Sequence, residues 1–398
     1  MLFGWPLAPA LSNRAHTFFL RRASPLATTP SGAQQQLLHP LESKLQSQIR
    51  SNLKIRQGHL LLVSVSGGAD SVALLRLLLA LQPQEKLNLH VIHFNHGLRP
   101  EADREEEFVR SIAKNYSLPF HVRRLPQGWA DSSVATGIQS RTRNWRRAES
   151  QELLQKLSYS NIADDEDTAS EIAEGVGQEQ TTRKYAGASV ALAHHADDQI
   201  ETILLKLLRG CHISNLRGMK WQQGCFIRPL LHMKKSQLMG YLTDIDQTWM
   251  EDPSNSDTKY KRNRVRLQLI PLLEELSEEA LDSRIFAMEE QSAWLREWLD
   301  SESGTFLSSE EDVSAKPWEI RVAEWLALPK LVGDEVMHKM VREGSCDEAG
   351  IAHDSLERLR RQIVHGKKCN FFFELPGGWG VERAGRVLRI CSTPHRRK

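Results

Sequence analysis

The sequence predicts an α/β fold: a parallel sheet flanked by helices, then a mainly helical region and a small C-terminal segment with strands. Three observations carry this. Strand-like apolar runs alternate with helical spacing between residues 60 and 209. A small-residue loop, Ser66-Gly67-Gly68-Ala69-Asp70-Ser71, breaks the first run from the first helix. From Phe226 the alternation stops, and helical patterns dominate until short strands around Pro376-Gly377-Gly378.

Taken in order, Leu60 to Val65 reads as a buried strand, and Leu-rich helical spacing resumes after the loop through Leu81. Leu87 to Phe94 is the second strand. Glu101 to Tyr116 follows as a helix with an acidic first turn. Leu118 to Arg124 is a shorter strand, and Ile138 to Leu157 a basic helix. The stretch 159–186 has few apolar residues and much Asp, Glu, Gly and Thr, the composition of a disordered insert. Ser189 to Ala193 is the fourth strand, with a helix from Ala196 to Arg209. Further on, Glu278 to Leu299 is helical. Its Trp294 and Trp298, four residues apart, are expected in the core or against another helix. Trp318 to Ile363 reads as mostly helical.

At 398 residues the chain is long enough for more than one domain. The divisions expected are 1–41, 42–230 (the sheet-bearing domain), 231–300 (helical) and 301–398 (helical with short strands). No apolar run is both long and uncharged enough to cross a bilayer. The 5 cysteines show no CxxC and no Cys/His ligand spacing, which fits a reducing compartment. Residues 1–41 hold Arg14, Arg21 and Arg22 but no Asp or Glu, the composition of an organelle transit peptide. Net charge is +2 overall, −1 without those three arginines, and +6 when the seven acidic side chains of 161–180 are also set aside. A basic body of that kind suits a polyanion partner.

Four stretches carry chemistry. In the Ser66–Ser71 loop, adjacent glycines allow positive φ and close approach. Its N–H groups and the first helical turn make an anion site, and Asp70 adds a carboxylate for a metal ion. The loop lacks the G-x-x-x-x-G-K-[ST] and G-x-G-x-x-G patterns. In His194-His195-Ala196-Asp197-Asp198-Gln199-Ile200-Glu201-Thr202, residues Asp198, Glu201 and Thr202 share a helix face. Carboxylates there could coordinate Mg²⁺ on ATP phosphates. Two basic stretches complete the set: Arg141 to Arg147, and Lys259 to Arg266, where Arg262 and Arg266 are one turn apart.

SGGADS resembles the pyrophosphate loop of the N-type ATP pyrophosphatases. Together with HFNHGLR (93–99), HHADDQIET (194–202), LLRG (207–210), LRGM (216–219), RPLL (228–231), EDPSN (251–255) and RNRVR (262–266), it makes residues 60–276 resemble tRNA(Ile)-lysidine synthetase. The resemblance implies a PP-loop ATPase fold of the adenine nucleotide alpha hydrolase kind. It implies ATP and Mg²⁺ as cofactors, with L-lysine and the isoleucine tRNA of anticodon CAU as partners. ATP would adenylate the C2 oxygen of the wobble cytidine, releasing pyrophosphate, and the lysine amine would displace AMP. By the same resemblance Ser66, Gly67, Gly68, Ala69, Asp70, Ser71 and His93 bind ATP, and Asp70 and Asp198 hold the metal. Asp70, Asp198, Arg141, Arg262 and Arg266 would be catalytic, with Arg143, Arg146, Lys261 and Arg264 on the tRNA. Where that family reads A-R-x-x-R-Y, this chain reads Ser140-Arg141-Thr142-Arg143-Asn144-Trp145, so the second arginine is displaced to Arg143 or Arg146. A tRNA thiolase of the same superfamily usually needs paired cysteines, which the chain lacks. A nucleotide- and RNA-binding protein without catalysis is the remaining reading, against which Asp70, Asp198 and Arg141 all stand. The chain is expected in the plastid, with the mitochondrion as the other address, outside any membrane, and a homodimer is compatible with the sequence.

Overall fold

The computed structural model describes residues 38–97, 101–126, 138–161, 181–183, 185–251, 261–278, 280–309, 319–345, 350–366 and 368–392. The expectations for residues 1–37, for 162–180 and for most of EDPSN lie outside them.

Helix α1 (Pro40–Ser51) opens the described chain and has no counterpart in the sequence reading. It begins inside the stretch assigned to the leader. It buries Leu41, Leu45 and Ile49 on one face, the i, i+4, i+8 spacing of a docked helix. The central sheet then forms from β1 (Leu60–Ser64), β2 (Asn88–Asn95) and β3 (Phe120–Arg124). It continues through β6 (Ala188–Ala191) and a short hairpin, β7 (Gln222–Gln223) with β8 (Phe226–Ile227). The order is β3-β2-β1-β6-β8-β7, parallel except for β7. Helices α2 (Ala69–Glu85), α3 (Ala102–Asn115), α4 (Ile138–Ser158) and α5 (Ala196–Arg209) connect these strands. β1 is buried along nearly its whole length, as a strand covered on both faces must be. Leu61 and Val63 pack towards α1 and α2, while Leu60 and Leu62 pack with Leu153 and Leu154 of α4.

The 159–186 stretch differs from expectation at its two ends. β4 (Tyr159–Asn161) and β5 (Thr181–Arg183) pair antiparallel, in the register Tyr159↔Arg183 to Asn161↔Thr181. Three cross-strand pairs between Tyr, Ser, Asn and Thr, Arg form a ladder that low hydrophobicity alone did not reveal.

Beyond the sheet come α6 (Lys235–Asp244) and α7 (Lys261–Arg264), which runs through a π turn (Val265–Leu269) into α8 (Ile270–Leu276). The long α9 (Leu281–Ser309) follows. β9 (Glu319–Arg321), α10 (Val322–Ala327), α11 (Lys330–Gly344), α12 (His353–His365), β10 (Asn370–Leu375), β11 (Trp379–Ala384) and β12 (Val387–Ser392) complete the chain. The four strands form an antiparallel sheet ordered β10-β11-β12-β9. Trp325, Val336, Leu359 and Val381 form its core with the helices.

Trp294 and Trp298 are not in that core: they are 60% and 45% exposed. The buried line of α9 is Leu281, Ile285, Ser292, Leu299 and Ser303. At about 100° per residue, both tryptophans fall on the far side of that line. The four-residue spacing put the two indoles on a common face, and that face is the outer one.

Candidate active site

The loop after β1 is shaped by its own side chains. Gly67 has φ +97°, a conformation that strains any residue with a Cβ. Ser71 Oγ donates to the Gly68 carbonyl at 2.9 Å and accepts from the Ser66 N–H at 3.1 Å. The two serines therefore close the loop on itself, and the N–H groups of the first turn of α2, at Ala69 and Asp70, have no helical acceptor. The Met250 N–H donates to the Gly67 carbonyl at 2.9 Å, so the chain just before Glu251 lies against the loop. His93 is buried beneath, its Nδ1 2.9 Å from the Val65 carbonyl, while Nε2 is buried without a partner among the described residues. Burial lowers its pKa, so the ring is neutral and Nδ1 is the donor.

His195, buried at the start of α5, gathers the carboxylates. Its Nε2 is 3.5 Å from Asp70 Oδ2 and 3.6 Å from Asp198 Oδ2, and its Nδ1 is 3.2 Å from Asp197 Oδ2. Burial alone would push the imidazole down; the bonds to Asp197 and Asp70 and the charge on Asp198 outweigh it and hold the pKa at about 10. His195 is thus an imidazolium pinning β1's loop to the start of α5. Burial likewise opposes ionisation of Asp197, but the bonds from His195 and the Lys235 N–H bring it down to about 2. The neighbouring His194 behaves oppositely: burial, with Arg228, Arg143 and Arg262 nearby, overcomes the pull of Asp198 and lowers it to about 4. The two adjacent histidines are therefore shifted in opposite directions.

Asp198 also receives two arginines. Arg262 Nη2 is 3.0 Å and Arg266 Nη2 3.3 Å from its Oδ1. The Nε atoms of the same arginines bind Glu201, which is fully buried; Arg262 is at 2.7 Å. Oδ2 of Asp198 also accepts the His195 N–H at 3.1 Å, so this residue caps the helix while joining the cluster. Arg262 and Arg266, expected to be catalytic, here lie against carboxylates. A buried Glu201 without a cation would be costly, and two forked guanidinium groups satisfy it. Arg262 and Arg266 keep 42% and 28% of their side chains exposed, so both remain within reach of a ligand.

Asp70, Asp198, Arg262 and Arg266 are therefore brought together, at the carboxyl ends of β1 and β6 where open parallel sheets bind ligands. The arginines of α4 stand beside them. Arg143 is close enough to His194 to lower its pKa, Arg147 lies over the Phe226 ring at 4.4 Å, and Arg141 is half-buried. Arg146, Lys261 and Arg264 are exposed. The sequence reading missed His195, although it stands in HHADDQIET, and offered Glu201 as a carboxylate for Mg²⁺, whereas it is buried against the two arginines. It also missed Lys235, whose Nζ is 3.8 Å from Asp70 Oδ2 and which carries no local signal. LRGM has a packing explanation: Gln199 binds both the N–H and the carbonyl of Met219, and a Cβ on Gly218 would collide with the Gln199 amide.

The donor set suits a hard cation. Asp70 Oδ1 is buried with no partner among the described residues, and Asp198 converges on the same imidazole nitrogen. Two carboxylates with a spare oxygen, beside the free N–H groups of a helix start, fit Mg²⁺ and a polyphosphate.

The tRNA(Ile)-lysidine synthase of Chlorobaculum tepidum is 28% identical over 306 residues, covering 77% of this chain and 84% of that one. Those of Geobacter sulfurreducens and Bacteroides thetaiotaomicron are 35% and 32% identical over 56% of this chain. The chain spans less than half of the latter two, 42% and 46%. The PP-loop domain profile matches residues 40–171 and 179–273, more than half of the sequence and all of the cluster around His195. The chain belongs to the PP-loop domain family.

Proposed function

We propose that this chain is an ATP-dependent tRNA(Ile)-lysidine synthase. It joins lysine to C2 of the wobble cytidine in the isoleucine tRNA of anticodon CAU. The observation that carries the reading is the convergence of Asp70 and Asp198 on His195, with Arg262 and Arg266 gripping the far oxygen of Asp198. The relatives' names supply the reaction, and the carboxylate–arginine cluster supplies groups suited to it.

The cytidine is a poor electrophile, so the reaction needs two displacements. The C2 oxygen attacks the α-phosphorus of ATP and pyrophosphate leaves; the lysine amine then attacks C2 and AMP leaves. Asp70 and Asp198 would hold Mg²⁺, which offsets phosphate charge. The first-turn N–H groups of α2 receive the pyrophosphate. Arg262 and Arg266, kept pointed at the site by Glu201, stabilise the charge that builds on the leaving group. His195 holds the two carboxylates at a fixed separation and carries no proton to the substrate.

A thiolase reading has nothing specific in its favour. Incubating the full chain with ATP, lysine and tRNA(Ile), then analysing nucleosides by mass spectrometry, should yield lysidine. Unmodified cytidine under conditions where ATP is bound would refute the reading. The acid-free, Arg- and Ser-bearing residues 1–41 support a plastid address, and plastid genomes generally encode the CAU-anticodon isoleucine tRNA; a reporter that stays cytosolic when fused to them removes it. Whether two copies associate is read by light scattering of the purified chain.

A further inference from the structure

On the functional reading just given, C2 of the wobble base must leave the anticodon stack to meet ATP, and something must hold it. We propose that Trp145, fixed by Phe94 and His96, is the platform on which the turned-out wobble pyrimidine stacks.

Phe94 lies near the carboxyl end of β2 and His96 just beyond it, beside the strand that carries the Ser66–Ser71 loop. Trp145 of α4 meets both rings edge-on, with centroids 5.5 Å from Phe94 at 75° and 5.9 Å from His96 at 62°. In an edge-to-face pair the edge of one ring meets the face of the other, and two such pairs fix the tilt of the indole. Trp145 is half-buried, so part of its ring is open. Single-stranded nucleic acid is held in this way, bases on aromatic faces and phosphates on neighbouring cations. The cations are in place: Arg141 is one turn earlier on α4, and Arg143 is near His194. An indole selects no particular base by hydrogen bonding, so Trp145 holds the pyrimidine rather than identifying it. ATP also carries a flat base, and the test separates the two.

The full chain is titrated into a tRNA(Ile) transcript carrying fluorescent pyrrolo-cytidine at the wobble position, without ATP. Wild type should quench the probe. Trp145→Leu should lose the quench and bind the transcript roughly tenfold more weakly, while Trp145→Phe retains both. ATP affinity should be the same in all three. An unchanged quench in Trp145→Leu overturns the proposal; so does a fall in ATP affinity with the quench intact, which would make adenine the stacked base. Should Trp145→Leu not fold, 5-iodocytidine at the same position, irradiated with wild type, should cross-link to Trp145, and cross-links found only elsewhere overturn it. Wild type that makes no lysidine sinks the functional reading; wild type that makes lysidine with a quench indifferent to Trp145 sinks this proposal alone.

Discussion

Glu201 makes stability and catalysis separable. Its buried carboxylate is held by Arg262 and Arg266, both partly in solvent. Replacing either arginine with alanine removes one charge-assisted fork and leaves the other. A charged hydrogen bond is worth about 1.5–3 kcal/mol, and partial exposure discounts it, so each single change should cost about 1–2 kcal/mol. Replacing both leaves Glu201 buried and unpaired, a situation that costs about 3–5 kcal/mol. Adding Glu201→Gln to the double variant removes the stranded charge and should restore about 2 kcal/mol, while lysidine formation at saturating ATP, lysine and tRNA stays lost. Urea denaturation gives the stabilities and nucleoside analysis gives the rate. A double variant no less stable than the singles, or a triple variant that recovers nothing, would refute the assignment of Glu201 as the arginines' buried counter-charge. Recovery of rate along with stability would show the arginines to be scaffolding.

Asp70→Asn should abolish pyrophosphate release with little change in melting temperature, because Oδ1 has no partner among the described residues and the Oδ2 contacts are long, 3.5 and 3.8 Å; wild-type pyrophosphate release would dismiss Asp70 as a metal ligand. Joining Asn161 to Thr181 through a short turn should preserve activity, since α4, at 21 residues or roughly 30 Å, separates the β4–β5 ladder from the arginines at its start; a drop in kcat would show coupling along that helix. For Glu106, burial opposes ionisation, but hydrogen bonds from Asn95, Arg110 and Arg124 win and depress its pKa. Its contribution is therefore present above the ordinary carboxylate pKa and lost as pH falls through the depressed value, so Glu106→Gln should flatten the acid limb of stability measured by urea unfolding from neutral to acid pH; an unchanged limb would count against it.

The strands and helices between 60 and 209 were legible because their patterns are local: β1 opens with the apolar run Leu60 to Val63, and α5 has the predicted bounds. Asp70, Asp198, Arg262 and Arg266 were legible as chemistry-bearing types in short motifs. Their mutual arrangement was not. Glu201 meets Arg262 across 61 residues, and a sequence shows which side chains are ionic but not which are buried against one another. His195 was missed because an imidazole's role depends on three carboxylates delivered by two elements. α1 was missed because it begins inside the compositionally biased residues 1–41. The tryptophans of α9 were misplaced because helical spacing fixes a common face but not its direction.

The C-terminal sheet closes its unit by joining the first strand to the last. β9 is made before three helices, yet among the described residues its sheet neighbour is β12, with Arg321 opposite Val387. A ribosome releasing this chain must therefore deliver nearly all of residues 319–392 before β9 can be paired. Contacts so distant in sequence are slow to form, because the intervening loop must close first. Until then β9 is an open edge and the core around Trp325 lacks its floor. The unit is thus built to complete late and at once, and a chain broken off before β12 would leave β9 without its partner strand and β11 paired on one side only, with β10.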